Sequence, residues 1–309
     1  LGLVISDSFK AVVTIYILIP FLVIPQIMLS GVMVKFEKLN PNVSSPVSIP
    51  FYGEMITARW GYEALAVKQF KDNEYEKQFY IYDKVMSQAK YRKDYLHAEI
   101  KGRLEKIYSD IERGALNEDT YKKLRLVDNE FRKQAEETPE FKFGYMGYLV
   151  PDRITKDIIE AAISYNEEVR RYYVALSNNA KDKKDAIVTR LQAADAKAFL
   201  EIRDNYANEA LEDFVINKNE TEKIIEFQDE IIQKLDPVYM DPKHKLIKAH
   251  FYAPVKMIFG RETDTYWVNV IVLWFITVAI YFILYFRILK KILDSGDRAM
   301  GKRHKSSIS

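Results

Sequence analysis

The sequence predicts an all-α membrane protein with two transmembrane helices, a re-entrant or interfacial helix and a large helical extracytoplasmic domain. Three observations lead to this fold class: an uncharged apolar run near each end, a charged middle with helical periodicity, and basic residues after the second run. The mean hydropathy of −0.22 over the whole chain hides this division. Composition is therefore informative only segment by segment.

Each apolar run has the length of a membrane span. Residues 11–34 form a run of 24 residues without a charge, and residues 266–286 form a run of 21. A helix needs about 20 residues to cross a hydrocarbon core of about 30 Å. The alternative is a buried core helix, but uncharged runs of this length are rare in soluble domains. Pro20 and Pro25 predict that the first span packs among other helices, which can satisfy the lost backbone bonds.

The basic residues set the predicted orientation. Seven of them follow the second run, against two acidic residues, Asp294 and Asp297. The seven are Arg287, Lys290, Lys291, Arg298, Lys302, Arg303 and Lys305. The positive-inside rule places this tail in the cytoplasm. With two spans, residues 37–265 are expected to be extracytoplasmic.

The same reading divides the chain into five segments. They are the end of one transmembrane helix plus a complete one (1–36), a loop with the re-entrant or interfacial helix (37–70), the helical extracytoplasmic domain (71–265), a transmembrane helix (266–289) and a basic cytoplasmic tail (290–309). The apolar residues Leu1–Ser6 resemble the end of a further helix. We therefore expect the chain to be the C-terminal part of a longer protein.

Apolar residues in the middle of the chain recur at helical spacing, which predicts about five helices in a bundle or antiparallel coiled coil without strands. The predicted core stripes are Ile100, Leu104, Ile107 and Ile111; Tyr121, Leu124, Val127 and Phe131; Ile158, Ala162, Tyr165, Val169, Tyr172 and Leu176; Ile187, Leu191, Ala194, Ala198 and Ile202; and Ile224, Ile231 and Leu235. The predicted breaks are Gly114, 138–139, 143–151, 177–179, 217–219 and 236–237.

Several function classes have no support in this sequence. A formal net charge of +2 without a basic aromatic stripe argues against nucleic acid, and the chain has no cysteine for disulfide or thiolate chemistry. Its four histidines are scattered without metal-site spacing. Residues 296–303 have the glycine and lysine spacing of a phosphate loop, but Arg303 replaces the required Ser or Thr and no strand precedes them. We predict no catalytic, cofactor or metal site, so this chain alone is not expected to be an enzyme.

Three sequence elements together resemble one family. Residues 29–34 (LSGVMV), a proline-containing loop and residues 58–70 (ARWGYEALAVKQF) resemble the end of the fifth transmembrane helix and the re-entrant helix of White-type (G-subfamily) ABC exporters. Trp267, Asn269 and the exit YFRILKK resemble the sixth helix and its basic tail. Thr57 stands where the family often has proline, and the cysteines of the eukaryotic external loop are absent. The large loop suggests a bacterial branch, hence a multi-pass protein of the bacterial inner (plasma) membrane.

The resemblance implies that the chain is the membrane-spanning permease part of an ATP-driven exporter and forms half of the translocation pathway. Its implied partners are membrane lipid, a second membrane half in a dimer, and an ABC ATPase domain, fused upstream or separate, that binds ATP and magnesium. The implied site residues are Ser30, Gly31, Val32 and Met33 at an exit gate, and Arg59, Trp60 and Glu63 on the re-entrant helix. In this gate Val32 and Met33 form an apolar plug, and Gly31 allows close approach of the facing helices.

Purely structural roles are the alternative interpretation of the same residues. Val32 and Met33 can simply face lipid, and Arg59 and Glu63 can form an exposed i,i+4 pair worth about 0.2–0.5 kcal/mol at most. The whole chain can instead be a two-span protein whose extracytoplasmic domain senses a ligand or regulates polysaccharide chain length. The DNA upstream of Leu1 separates the two functions, because an exporter requires further spans and an ATPase cassette.

Overall fold

The computed structural model describes residues 1–9, 11–33, 35–36, 48–242 and 247–295. Val34, the turn-rich residues 40–46, His244, His304 and the phosphate-loop-like residues 296–303 lie outside this part of the chain. Two compact units are present. The first unit comprises residues 1–65, 242–251 and 255–309, and the second comprises 66–241 and 252–254.

Helices dominate the described residues, as the sequence predicts. They are α1 (Gly2–Ser8), α2 (Val12–Met28), α3 (Phe51–Glu54), α4 (Thr57–Lys71), α5 (Tyr80–Lys90), α6 (His97–Glu112), α7 (Glu118–Glu137), α8 (Lys156–Tyr206), α9 (Glu209–Val215) and α10 (Thr265–Tyr285). A π-helical turn, Tyr91–Leu96, joins α5 to α6. The strands are β1 (Ile224–Phe227), β2 (Glu230–Gln233), β3 (Val255–Ile258) and β4 (Arg261–Asp264).

The two most apolar helices belong to the first unit. Among the described residues, α10 alone is long and apolar enough to cross a membrane, while α2 is apolar but has only 17 residues. Asp264 caps α10, since its Oδ1 accepts a hydrogen bond from Tyr266 N at 2.9 Å. Just after the other end of α10, Arg287 forms an ion pair with Asp7 of α1 at 3.2 Å.

The core of the second unit is built mainly by α6, α7 and α8, with side chains from α5 and β2. The stripes predicted on these helices are confirmed at Ile107, Leu124 and Val169, whose side chains have no exposed surface. The other fully buried side chains of this core include Ala89, Leu104, Leu126, Val127, Phe131, Ile159 and Ala162. Asn117 and Thr155 cap α7 and α8 with their side-chain oxygens. The helices therefore begin where a polar side chain satisfies the first free N–H groups.

One predicted helix break is wrong. The segment 177–179 lies inside α8, which continues without interruption through Ser177, Asn178 and Asn179. Serine and asparagine cost only a few tenths of a kcal/mol in a helix, and the packing of α8 against α5 and α6 outweighs that cost. The real discontinuity is at Asp195, whose φ of −161° is not helical. Its Oδ1 accepts from Ala198 N at 2.9 Å and caps the last part of α8.

The predicted core stripe from Ile187 to Ile202 is also wrong, because this face of α8 is not covered. Leu191 is only half-buried, Ala194 is exposed and 36% of Ile202 is exposed. The periodicity predicts which side chains share a face of a continuous helix, but the non-helical Asp195 divides this stripe, with Ile187 and Leu191 before it and Ile202 after it. It does not determine whether another element packs against that face.

Two antiparallel hairpins replace predicted helix or loop. Ile224 and Ile231, assigned to a helical stripe, lie on β1 and β2, which pair with Ile224 opposite Gln233. Gln228 and Asp229 form the turn with φ values of 54° and 57°, the geometry of a two-residue hairpin. The hairpin is joined to α7, since Ile231 N donates to Glu130 Oε1 at 2.8 Å. In the first unit β3 pairs with β4, with Val255 opposite Asp264.

A buried histidine predicts how the stability of the second unit depends on pH. His97 is 1% exposed, and its Nδ1 lies 2.7 Å from Asn166 Oδ1. Burial lowers the pKa of His97 to about 4, although the Asn166 hydrogen bond opposes the shift. The unfolded chain therefore takes up a proton before the native state does as the pH falls. Between pH 6.5 and 4 this linkage should remove about 3 kcal/mol of stability.

Urea unfolding of the wild type and of His97→Gln across this range checks that expectation. Carboxylates titrate in both proteins, so the difference between the two curves isolates His97. The glutamine variant should show a shallower decline below pH 6.5. Parallel curves would show that His97 does not control the acid sensitivity.

Candidate functional site

The predicted re-entrant segment contains a buried arginine that organises the start of α4. Arg59 has no exposed surface. Its Nε donates to Gly53 O at 3.0 Å and its Nη1 donates to Glu63 Oε2 at 2.9 Å. Its Nη2 binds Glu54 at the end of α3. Two of these three bonds join α4 to α3, and the third lies within α4. A lysine could not reproduce this fork of directed bonds.

Two residues distant in sequence complete the cluster. Lys256 of β3 donates to Glu63 Oε2 at 2.6 Å and to Asn269 Oδ1 at 2.9 Å. Asn269, in the second turn of α10, donates through Nδ2 to Glu63 Oε2 at 2.8 Å and to Trp60 O at 3.0 Å. Lys256 is 1% exposed and Asn269 is fully buried. Glu63 is therefore the point where α4, β3 and α10 meet.

The ring of Trp60 lies close to both cations of this cluster. The centroid of its ring is 3.7 Å from Arg59 Cζ and 4.6 Å from Lys256 Nζ. Its Nε1 donates to Glu54 O at 2.8 Å, so the buried indole has a polar partner. Both cations are close enough for attraction to the ring. We call Glu54, Arg59, Trp60, Glu63, Lys256 and Asn269 the charge cluster.

The charges of the cluster balance, with two cations and two carboxylates. Burial raises the pKa of Glu63, but Lys256 and Arg59 outweigh it and hold this pKa below its ordinary value. Burial lowers the pKa of Lys256 against the opposing effect of Glu63, and it raises the pKa of Glu54 against Arg59. The Glu63 carboxylate is thus ionised at neutral pH. The stability it contributes is lost as the pH falls through its lowered pKa.

Comparisons of the chain with protein-family models, curated proteins and solved structures found no match.

The i,i+4 spacing of Arg59 and Glu63 predicts that they pair, but it does not predict that the pair is buried. An exposed pair was one interpretation of the sequence, and it is wrong because both side chains are fully buried. Lys256 was missed by sequence reasoning. The available signal was a single lysine inside the apolar stretch Ala253–Phe259, since a charge in such a stretch either reaches solvent or has a buried partner.

The predicted gate residues lie just after α2. Ser30 is 7% exposed and its Oγ donates to Ile27 O at 2.7 Å, while Met33 is 71% exposed and Val32 is half-buried. Gly31 has φ of +86°, and a Cβ added there would lie 2.5 Å from a ring carbon of Phe36. Glycine is therefore required by contacts within this chain. A gate formed between two copies stays a prediction.

No group of three or more His, Cys, Asp or Glu side chains that could hold a metal ion occurs among the described residues. The charge cluster can fix the relative positions of the elements that it joins. A buried ionic network tolerates small shifts poorly, because a displaced charge loses its partners without gaining water. The cluster therefore holds the beginning of α4 at a defined position against α10.

Proposed function

We propose that this chain is the permease part of an ATP-driven exporter, with the charge cluster coupling the re-entrant helix to the last transmembrane helix. One observation carries the proposal. Arg59, Trp60 and Glu63, on which the resemblance to White-type ABC exporters rests, join Asn269 of α10 in one buried network. A movement of α10 would be passed to α4 through these bonds.

The membrane topology is part of the proposal. The apolar side chains of α10, such as Trp274 and Phe275, are 66% and 73% exposed. Such a surface suits lipid or a neighbouring transmembrane helix and is costly in water. The exposed apolar helix α2 supplies the first span, together with the apolar residues that follow it. The second unit then lies outside the cytoplasm, with the basic tail inside.

The gate and the energy source complete the proposal. Val32 and Met33 from each of two membrane halves form an apolar constriction at the outer end of α2, which blocks water and ions until the halves separate. An ATPase cassette, fused upstream or separate, binds ATP and magnesium and drives that separation. The substrate crosses between the two copies.

Labelling tests the topology directly. Because residues 1–309 contain no cysteine, Asn178→Cys introduces one thiol into this chain at an exposed position of α8. Cysteines of any fused domain are replaced. A membrane-impermeant maleimide should modify this thiol in intact cells, whereas a tag after Ser309 should react with antibody only after permeabilisation. Finding both sites on the same side of the membrane would contradict the two-span arrangement.

A charge-neutral double variant tests the coupling. Glu63→Gln with Lys256→Met removes the central ion pair without leaving a lone buried charge, so the fold should be retained. In the reconstituted full-length transporter we expect ATP hydrolysis to slow about tenfold, equivalent to about 1.4 kcal/mol in the barrier. The readout is the hydrolysis rate per folded molecule, with the expression level and the thermal midpoint measured alongside.

The matched control is an exposed ion pair. Glu74→Gln with Lys77→Met removes a 2.6 Å pair whose side chains are 57% and 46% exposed, and hydrolysis should be unchanged. Wild-type rates in the Glu63/Lys256 variant would remove the cluster from the transport mechanism. A full-length protein that neither hydrolyses ATP nor copurifies with an ATPase would instead favour the sensory or chain-length-regulating alternative, which the separate hydrophobic core of the second unit also suits.

A further inference from the structure

A mainly apolar groove of about 400 Å³ lies on the first unit, beside the charge cluster. Its walls come from the segment before α3, from α3 and α4, from the residues before β3, and from α10. The lining residues are Ile49, Phe51, Glu54, Trp60, Ile247, Lys248 and Val272. Phe51 at its rim is 80% exposed.

The groove carries one charge of each sign on apolar walls. Glu54 binds Arg59 inside the cluster, yet 27% of its side chain remains exposed where it lines the groove. Lys248 is exposed, and its positive charge acts on the Glu54 carboxyl. A ligand that complements this surface needs an ammonium group, an anionic group and an apolar body.

The position of the groove on α10 indicates where such a ligand comes from. Val272 lies seven residues after Thr265, the first residue of α10, which is about 10 Å along a helix that rises 1.5 Å per residue. If α10 crosses the membrane, this wall reaches the depth of the acyl chains while Glu54 and Lys248 stay nearer the surface. A lipid embedded in the bilayer covers both parts, with its headgroup beside Glu54 and Lys248 and a chain beside Val272.

We propose that the groove binds one phospholipid with a primary-amine headgroup, of the phosphatidylethanolamine class. Its ammonium donates to Glu54, its phosphate faces Lys248, and an acyl chain covers Ile49, Trp60 and Val272. The proposal rests on the proposed membrane-spanning role of α10. It assigns the groove a bound lipid in addition to any transported substrate.

Tryptophan fluorescence offers a test on the full-length protein. The described tryptophans outside the groove are removed by Trp267→Phe and Trp274→Phe, which leaves Trp60 as the reporter for this chain; tryptophans of any fused domain are also replaced. Brominated-acyl phosphatidylethanolamine, phosphatidylcholine and phosphatidylglycerol are each titrated into the detergent-solubilised protein. We expect half-quenching by phosphatidylethanolamine at about a tenfold lower concentration, which corresponds to about 1.4 kcal/mol.

Lys248→Glu should remove this preference, whereas Arg261→Glu, which reverses another exposed charge of the same unit, should retain it. Glu54→Gln should also weaken the ethanolamine preference, and Lys248→Glu keeps the test decisive if Glu54→Gln fails to fold. Equal quenching by the three lipids, or an unchanged preference in Lys248→Glu, would overturn the lipid site. Flotation with vesicles and ATP hydrolysis are measured on the same protein, so loss of the lipid preference is distinguishable from failure of the proposed transport function.

Discussion

Leu104→Asp should destabilise the second unit by roughly 4 kcal/mol or more, a loss typical of a charge buried without a partner. Leu104 has no exposed surface and lies in the core formed by α6, α7 and α8. The aspartate would either be ionised in an apolar environment or take up a proton at a raised pKa. Both outcomes reduce the free energy of unfolding.

The measurement is urea unfolding of a fragment comprising residues 66–254, followed by circular dichroism, with a mainly helical spectrum expected for the wild type. Leu191→Asp is the matched control because Leu191 is half-buried on the uncovered face of α8. It should cost about 1 kcal/mol or less. Equal losses in the two variants would show that the face of α8 bearing Leu191 is covered.

Lys256→Met should produce the second large effect, about 3–5 kcal/mol, because removing one partner of a buried ion pair leaves the other charge uncompensated. Glu63 would retain Arg59 and Asn269, but Arg59 would then be the one cation of the cluster facing two carboxylates, and Glu63 has no exposed surface. The loss should appear in the denaturant-induced unfolding of the detergent-solubilised chain. The second carboxylate oxygen of Glu63, Oε1, is buried and has no hydrogen-bond partner among the described residues. It therefore does not help to stabilise the negative charge when Lys256 is removed.

The double variant Glu63→Gln with Lys256→Met should recover most of that stability, since the remaining Arg59 is still balanced by Glu54. Lys77→Met serves as the exposed control, because a surface pair contributes at most about 1 kcal/mol. If the single and double variants were equally unstable, the loss would come from packing of the lysine stem and not from the unpaired charge.

Local spacing was sufficient for much of the fold. The stripe containing Leu104 and Ile107 is buried as predicted, and the breaks at Gly114 and Asp236 coincide with backbone in the left-handed region. These features depend on residues three or four apart or on single residues that end a helix. Residues close together in the chain are therefore sufficient to predict the buried helix faces and these helix ends.

Tertiary contacts overruled local signals elsewhere. Ser177–Asn179 stay helical within α8. Strands of only four residues are too short for alternation to separate them from helix or loop. The hairpins are recognised by their turn geometry and, for β1 and β2, by the bond from Ile231 to Glu130 of α7. A hydrogen bond between residues about a hundred positions apart leaves no local pattern in the sequence.

The sequence by itself determined the mostly helical class, the two apolar runs and the i,i+4 pairing of Arg59 with Glu63, because each depends on residues close together in the chain. Only the tertiary structure decided that this pair is buried and that Lys256 and Asn269 complete it. These two residues are 193 and 206 positions from Glu63. The cost of a buried charge is set by which groups surround it, and those groups come together only when the chain folds.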